Sequence, residues 1–213
     1  MWRPVMVVGL VVGTGPGCAS GSDGAGDSGS TDLGAWGSVR FTTAPCPGVT
    51  FDVGTGEVAE VSVERCDGTT GVSPIGHPVS LRESGSFPFP PGDVCSVVLT
   101  FGAPIVYQGT WGPSETPFRL DLEPGRTPMR TFSPWVADGD VVVLELGAAG
   151  WFDPEALEVG GEVHVDPTDA AHEGLVATLR SGTHVFHDFD ADAVVDPDER
   201  AAGSLAGRLD SDR

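Results

Sequence analysis

The sequence predicts a mainly β protein, an antiparallel β-sandwich followed by a small α-rich C-terminal module. Three observations point there. Between residues 38 and 147, short runs alternate apolar with polar positions and are rich in Val and Phe. Gly and Pro, at 31 and 18 of 213 residues, separate those runs as turn formers do. After Trp151 the apolar spacing lengthens toward a helical period.

The sandwich domain is expected over 36–150. SVRFTT (38–43) alternates, and VAEVSVER (58–65) sets Val58, Val61 and Val63 among Glu60, Ser62 and Glu64. CSVVLTFG (95–102) and PIVYQGTW (104–111) follow, divided by little more than Gly102–Ala103. FRLDLE (118–123) puts Phe118, Leu120 and Leu122 on one face, and DVVVLELG (140–147) leaves the turn ADGD. FPFPPGD (87–93) has too many prolines for a central strand and is expected as a loop or an edge. The α-rich segment is expected over 151–213. DPEALEVG (153–160) starts with an N-cap candidate, Asp153, and Pro154 at the first helical position. DPTDAAHEGLVATLRSG (166–182) predicts a helix with Leu175, Val176 and Leu179 as its apolar stripe, stopped by Gly182. A weaker helix is expected from Pro197.

Charge narrows the function. Acids outnumber bases 31 to 11, every base is Arg, and the net charge is −20. Such a field repels nucleic acid and draws divalent cations, so no nucleic-acid partner is expected. The chain has neither a G-x-S-x-G elbow nor an H-E-x-x-H zinc motif, and a non-catalytic role is expected. Trp111, Trp135 and Trp151 are expected to pack at strand ends; their alternative use is a face for a glycan or protein ligand, as in an adhesin. Arg126 and Arg130 are expected to pair locally.

The N-terminus reads as an address. In MWRPVMVVGLVVGTGPGCAS, Arg3 precedes an apolar run, Val5–Val12, that is shorter than the roughly 20 residues a membrane span needs. Gly15 and Gly17 then lead to Cys18. This placement resembles the lipobox of bacterial lipoproteins. The resemblance implies a signal peptide at 1–17, lipidation of Cys18, and a membrane partner held through that lipid. It also implies a place in the bacterial cell envelope, at the outer membrane or cell surface; a plain secreted protein is the alternative. The Gly/Ser/Asp-rich residues 18–35 are expected to be a flexible tether.

Export makes a disulfide expected among Cys46, Cys66 and Cys95. CPGVTFDV and CSVVLTF both look like strand starts, which favours Cys46–Cys95, with Cys66–Cys95 as the alternative.

The stretch DFDADAVVDPDE (188–199) carries most of the chemistry. Its acids fall on alternate positions, then an apolar pair intervenes, then a closing Glu. Carboxylates crowded in a tight loop repel one another unless a hard cation joins them. The stretch resembles the calcium-binding loop of the EF-hand family and the aspartate loops of dockerins and thrombospondin type 3 repeats. That resemblance implies Ca²⁺ held by Asp188, Asp190 and Asp192, the Val194 carbonyl, Asp196 through a water, and Glu199 in bidentate fashion, with Val195 turned to the core. Ala193 stands where the family has Gly, Arg200 stands where it has an apolar residue, and no second loop exists. A lone structural site is therefore expected, with Ala193 weakening it about tenfold through roughly 1–2 kcal/mol of left-handed strain. The preceding GTHVFH is expected to be extended. If it were helical, His184 and His187 would share a face and could hold a transition metal.

Overall fold

The structure, a computed structural model, describes residues 34–82, 84–148, 150, 151 and 162–208. The signal peptide, Cys18, nearly all of the tether and the helix expected at 153–160 lie outside those residues. Leu33–Arg213 forms one compact unit.

Twelve strands and two helices make up the described chain. The strands are β1 (Gly37–Thr43), β2 (Val49–Arg65), β3 (Thr70–Ser80), β4 (Phe87–Phe89), β5 (Gly92–Phe101), β6 (Ile105–Trp111), β7 (Thr116–Leu122), β8 (Arg126–Ala137), β9 (Val141–Leu146), β10 (Val163–Val165), β11 (His184–His187) and β12 (Ala206–Gly207). The helices are α1 (His172–Gly182) and α2 (Pro197–Ala202). All the strands belong to one curled sheet in the order β10-β7-β6-β2-β5-β8-β12-β11-β9-β1-β4, with β3 also on β2.

The curl comes from strands that bend together. β2 is 17 residues long and pairs with β6 through its first half and β5 through its second, with a bulge between Val58 and Glu60. β5 and β6 therefore run end to end along β2, and β8 and β7 run end to end along them. The bends meet: Gly102 N–H donates to Glu57 O (2.9 Å), and Phe101 N–H to Gly125 O (3.1 Å). Gly125, at φ +57°, takes a turn that few other residues accept.

One apolar core joins both arms of the bent sheet. Val61, Leu99 and Met129 from one arm share it with Tyr107, Phe118 and Leu120 from the other, and with Val39, Phe41 and Leu144. Each such side chain contributes about 1.5–3 kcal/mol by leaving water. Tyr107 is fully buried; its hydroxyl pairs with Thr43 Oγ1 (3.0 Å), and burial pushes its phenol pKa up.

Several expectations change. Pairing is mostly antiparallel, but β1–β9 and β10–β7 are parallel, so the sheet is mixed. β1 and β9 lie about a hundred residues apart, which leaves ample chain for the crossover a parallel pair needs. The C-terminal segment is not an α-rich appendage among the described residues. β11 and β12 fill the sheet between β9 and β8, and β10 extends it beyond β7. β12 fits there because Gly207 has no side chain: a Cβ would come within 2.4 Å of His184 Nδ1. Helix α1 buries the expected Leu175, Val176 and Leu179 but starts later than expected. Asp166 Oδ1 accepts from Thr168 N–H (2.8 Å) and Asp169 Oδ2 from Asp166 N–H (2.7 Å), so side chains claim the first turns' backbone donors. FPF does form an edge strand, β4.

The disulfide joins Cys66 to Cys95, with Cα atoms 5.1 Å apart, and not Cys46 to Cys95. The register explains the correction. Arg65 pairs with Val94 across β2–β5, and Cys66 N–H donates to Asp93 O (3.1 Å), so the cysteines just beyond are already neighbours. Cys46 lies in the turn before β2, half-buried against the core, and is not in a disulfide.

Candidate metal centre

The loop 188–199 sits on the sheet's outer face. Along β9, Val142, Leu144 and Leu146 face the main core, so Val143 and Glu145 point the other way. On β11, Val185 faces in and Phe186 out. Val143, Phe186 and Val195 form a second small core under the loop, which places Val195 as expected.

Three of the expected ligands converge. One carboxylate oxygen each from Asp188, Asp190 and Asp192 lies within 4.8 Å of the others. Oxygens about 2.3–2.6 Å from a shared Ca²⁺ stand at most about 5 Å apart, so the set fits one hard cation. Without a cation, each pair of charges at that separation repels by roughly 1–3.5 kcal/mol, depending on the local dielectric. Asp188 is buried, whereas Asp190 and Asp192 are exposed.

The loop's backbone turns around these side chains. Asp188 Oδ1 accepts from Asp192 N–H (3.1 Å) and Oδ2 from Ala193 N–H (3.2 Å). Asp190 Oδ1 accepts from the same Asp192 N–H (3.3 Å), and Asp192 Oδ1 from Val194 N–H (2.7 Å). A carboxylate has about four lone-pair sites, so these bonds leave room for a metal. Ala191 (φ +60°) and Ala193 (φ +70°) both take left-handed conformations, which is how the chain turns tightly enough to gather alternate aspartates.

The remaining expected ligands play other parts here. Asp196 is the N-cap of α2, and its Oδ1 accepts from Asp198 N–H (2.8 Å) and Glu199 N–H (3.1 Å). Glu199 completes the capping box: Oε2 accepts from Asp196 N–H (3.1 Å). Its Oε1 accepts from Phe189 N–H (2.7 Å), tying the closing residue to the start of the loop. Glu199 is buried and is not a member of the three-oxygen cluster. Val194 is exposed.

The segment before the loop is extended, as β11. The histidines therefore diverge. His184 lies against Phe132 and Phe186, while His187 lies against Trp135 and Phe189. Burial holds the His184 pKa below its usual value. Trp135 and Trp151 are buried and Trp111 packs half-buried against the core, so these three present no open aromatic face. Arg126 pairs with Glu64 at 2.7 Å.

Sequence reasoning missed Glu145 and Arg40 beside the loop, and noted Arg200 only as a departure from the family pattern. Arg200 Nη2 donates to both oxygens of Glu145 (2.7 Å each), and its guanidinium lies 5.7 Å from the Phe186 ring centre. Arg40, on β1 opposite Val143, donates to Ala191 O. The signals were a lone acid in the apolar run VVVLEL and a lone Arg in SVRFTT. No protein-family model matches this chain, and neither does any curated protein or solved structure.

Proposed function

We propose that the chain is an exported cell-envelope lipoprotein whose β domain holds one structural Ca²⁺ and acts by binding or support, without catalysis. The observation that carries this reading is the convergence of Asp188, Asp190 and Asp192 on one cation-sized space. Bound Ca²⁺ would supply charge neutralisation; the chain's own residues supply the oxygens and the turn. An acidic protein at −20 in a calcium-replete extracytoplasmic setting needs only modest affinity for such a site. Anchorage through Cys18 rests on the apolar run, the small residues before the cysteine and the Gly/Ser/Asp tether. We read the two arms of the bent sheet as the layers of a sandwich, supported by the single core that both arms line.

Calorimetric titration of the purified domain with Ca²⁺ tests the site. One equivalent should bind, and Asp190→Ala should weaken binding at least tenfold. Equal heats from the two proteins would end the calcium reading. Metabolic labelling with palmitate tests the anchor: label should enter the wild type and not Cys18→Ser.

A further inference from the structure

The loop's neighbours suggest how it is held when no cation is bound. Loops that close only around an ion are anchored by the ion alone. Besides the packing of Val195 on Val143 and Phe186, this one has three polar attachments, and none uses an oxygen of the aspartate cluster. Arg200 grips Glu145 with both carboxylate oxygens engaged, and the Glu145 side chain is only 4% exposed. Arg40 donates to the carbonyl of Ala191, the residue at the left-handed turn between Asp190 and Asp192. Asp188 N–H donates to Val141 O (3.0 Å), continuing the strand contacts into the loop. The three contacts meet the loop at its start, middle and exit helix. Two of them come from β9, and Arg40 comes from its parallel neighbour, so all are mounted on one rigid pair of strands.

We propose that Arg40 and Arg200 are metal-independent anchors that hold the loop 188–199 on the outer face of β1 and β9 in its cation-ready shape before any ion arrives. The proposal builds on the calcium reading only in calling the shape cation-ready; the anchoring itself stands without it. Arg200 is suited to the task because its Nη2 reaches both Glu145 oxygens while its guanidinium lies over Phe186, and its charge stays fixed at every physiological pH. A Lys there would keep the charge and lose the planar guanidinium that lies over Phe186.

Amide hydrogen exchange of the full chain, followed by mass spectrometry in EDTA, tests this. In the wild type, residues 188–199 should be protected at least tenfold over an unstructured peptide. Arg40→Met with Arg200→Met should remove that protection by tenfold or more, while β2 and β5 keep theirs. Because Arg200→Met strands a buried carboxylate, the same measurement on Glu145→Gln with Arg200→Met removes both charges together and should also loosen the loop. Arg200→Lys should give intermediate protection. An unprotected wild-type loop in EDTA, or unchanged loop exchange in either double variant, overturns the proposal. Millimolar Ca²⁺ is the separate arm: no added protection on adding it ends the calcium reading and leaves the anchoring result as it stands.

Discussion

Gly147, just past β9, lies back to back with Gly182, the last residue of α1: a Cβ on Gly147 would fall 2.4 Å from Gly182 Cα. Real Cβ atoms do not approach backbone so closely. Gly182 was legible as a helix stop, but its closer duty is to let the helix end touch the strand end. Gly147→Ala should therefore destabilise the domain by about 3 kcal/mol or more through forced overpacking. Chemical denaturation of the two proteins checks this. A loss below 1 kcal/mol would mean that the helix end can move aside.

The disulfide closes a loop of 29 residues of separation. Chain-entropy reasoning gives it about 3.5 kcal/mol of stabilisation. Cys66→Ala with Cys95→Ala should lower the urea midpoint accordingly, whereas Cys46→Ala should shift it far less. A larger effect at Cys46 would contradict the bridge described above.

Ala193 makes a graded prediction. At φ +70°, Gly is relieved of about 1 kcal/mol of strain, partly offset by its greater freedom when unfolded, whereas Val is strained further. Stability should rank Gly at or above Ala, with Val lower by about 2 kcal/mol, as read by thermal melting. On the anchoring proposed above, the turn is held before the ion arrives, so the strain falls on folding and not on cation binding. Ala193→Gly should then change Ca²⁺ affinity by less than about threefold. A gain near tenfold would restore the view that the strain is relieved only on binding.

Asp121 predicts a pH effect. The Arg119 guanidinium, bonded at 2.9 and 2.8 Å, holds its carboxyl below the usual range, with His164 Nε2 at 3.3 Å adding to the effect. The folded pKa is thus lower than the unfolded value of about 3.9. The stabilisation is complete above the unfolded pKa and fades as pH falls through the folded one. Arg119 is 41% exposed, so solvent limits the contribution to about 1 kcal/mol. The gap in melting temperature between wild type and Asp121→Asn should be open at pH 5 and close below pH 4. A gap that widens on acidification would reverse the assignment.

The strands with clean alternation were readable because one face of each meets the core: Val58, Val61, Val63, Phe118, Leu120 and Leu122 are all buried. β3 was not readable. Its sequence TGVSPIGHPVS carries two prolines and two interior glycines, which an edge strand tolerates and a pattern search rejects. β11 and β12 are too short for any period, and only the pairing across the sheet defines them. In the loop, the alternate aspartates and Val195 were visible because spacing alone fixes their side. Glu199 was read as a ligand because the spacing that closes a calcium loop is also the Asp196–Glu199 spacing of a capping box, and its tie to Phe189 leaves no trace in sequence. Arg40 and Glu145 lie 151 and 55 residues from their loop partners, Ala191 and Arg200, a distance at which no local pattern informs.

The pairing of β1 with β9, and of β12 with β8, has a consequence for how the molecule is made. Among the described strands β1 is the first to emerge during synthesis, and its one long partner among them is Val141–Leu146, about a hundred residues later. The seam between β8 and β11 stays open until Ala206–Gly207 arrive. Local hairpins such as β6–β7 can form at once, but closure is a late, high-contact-order event. Until then, an apolar strand edge waits unsatisfied, and a chain in that state invites capture by a holdase or aggregation with its neighbours. Closure of the sheet is thus timed by β9 and β12, late-made among its described strands.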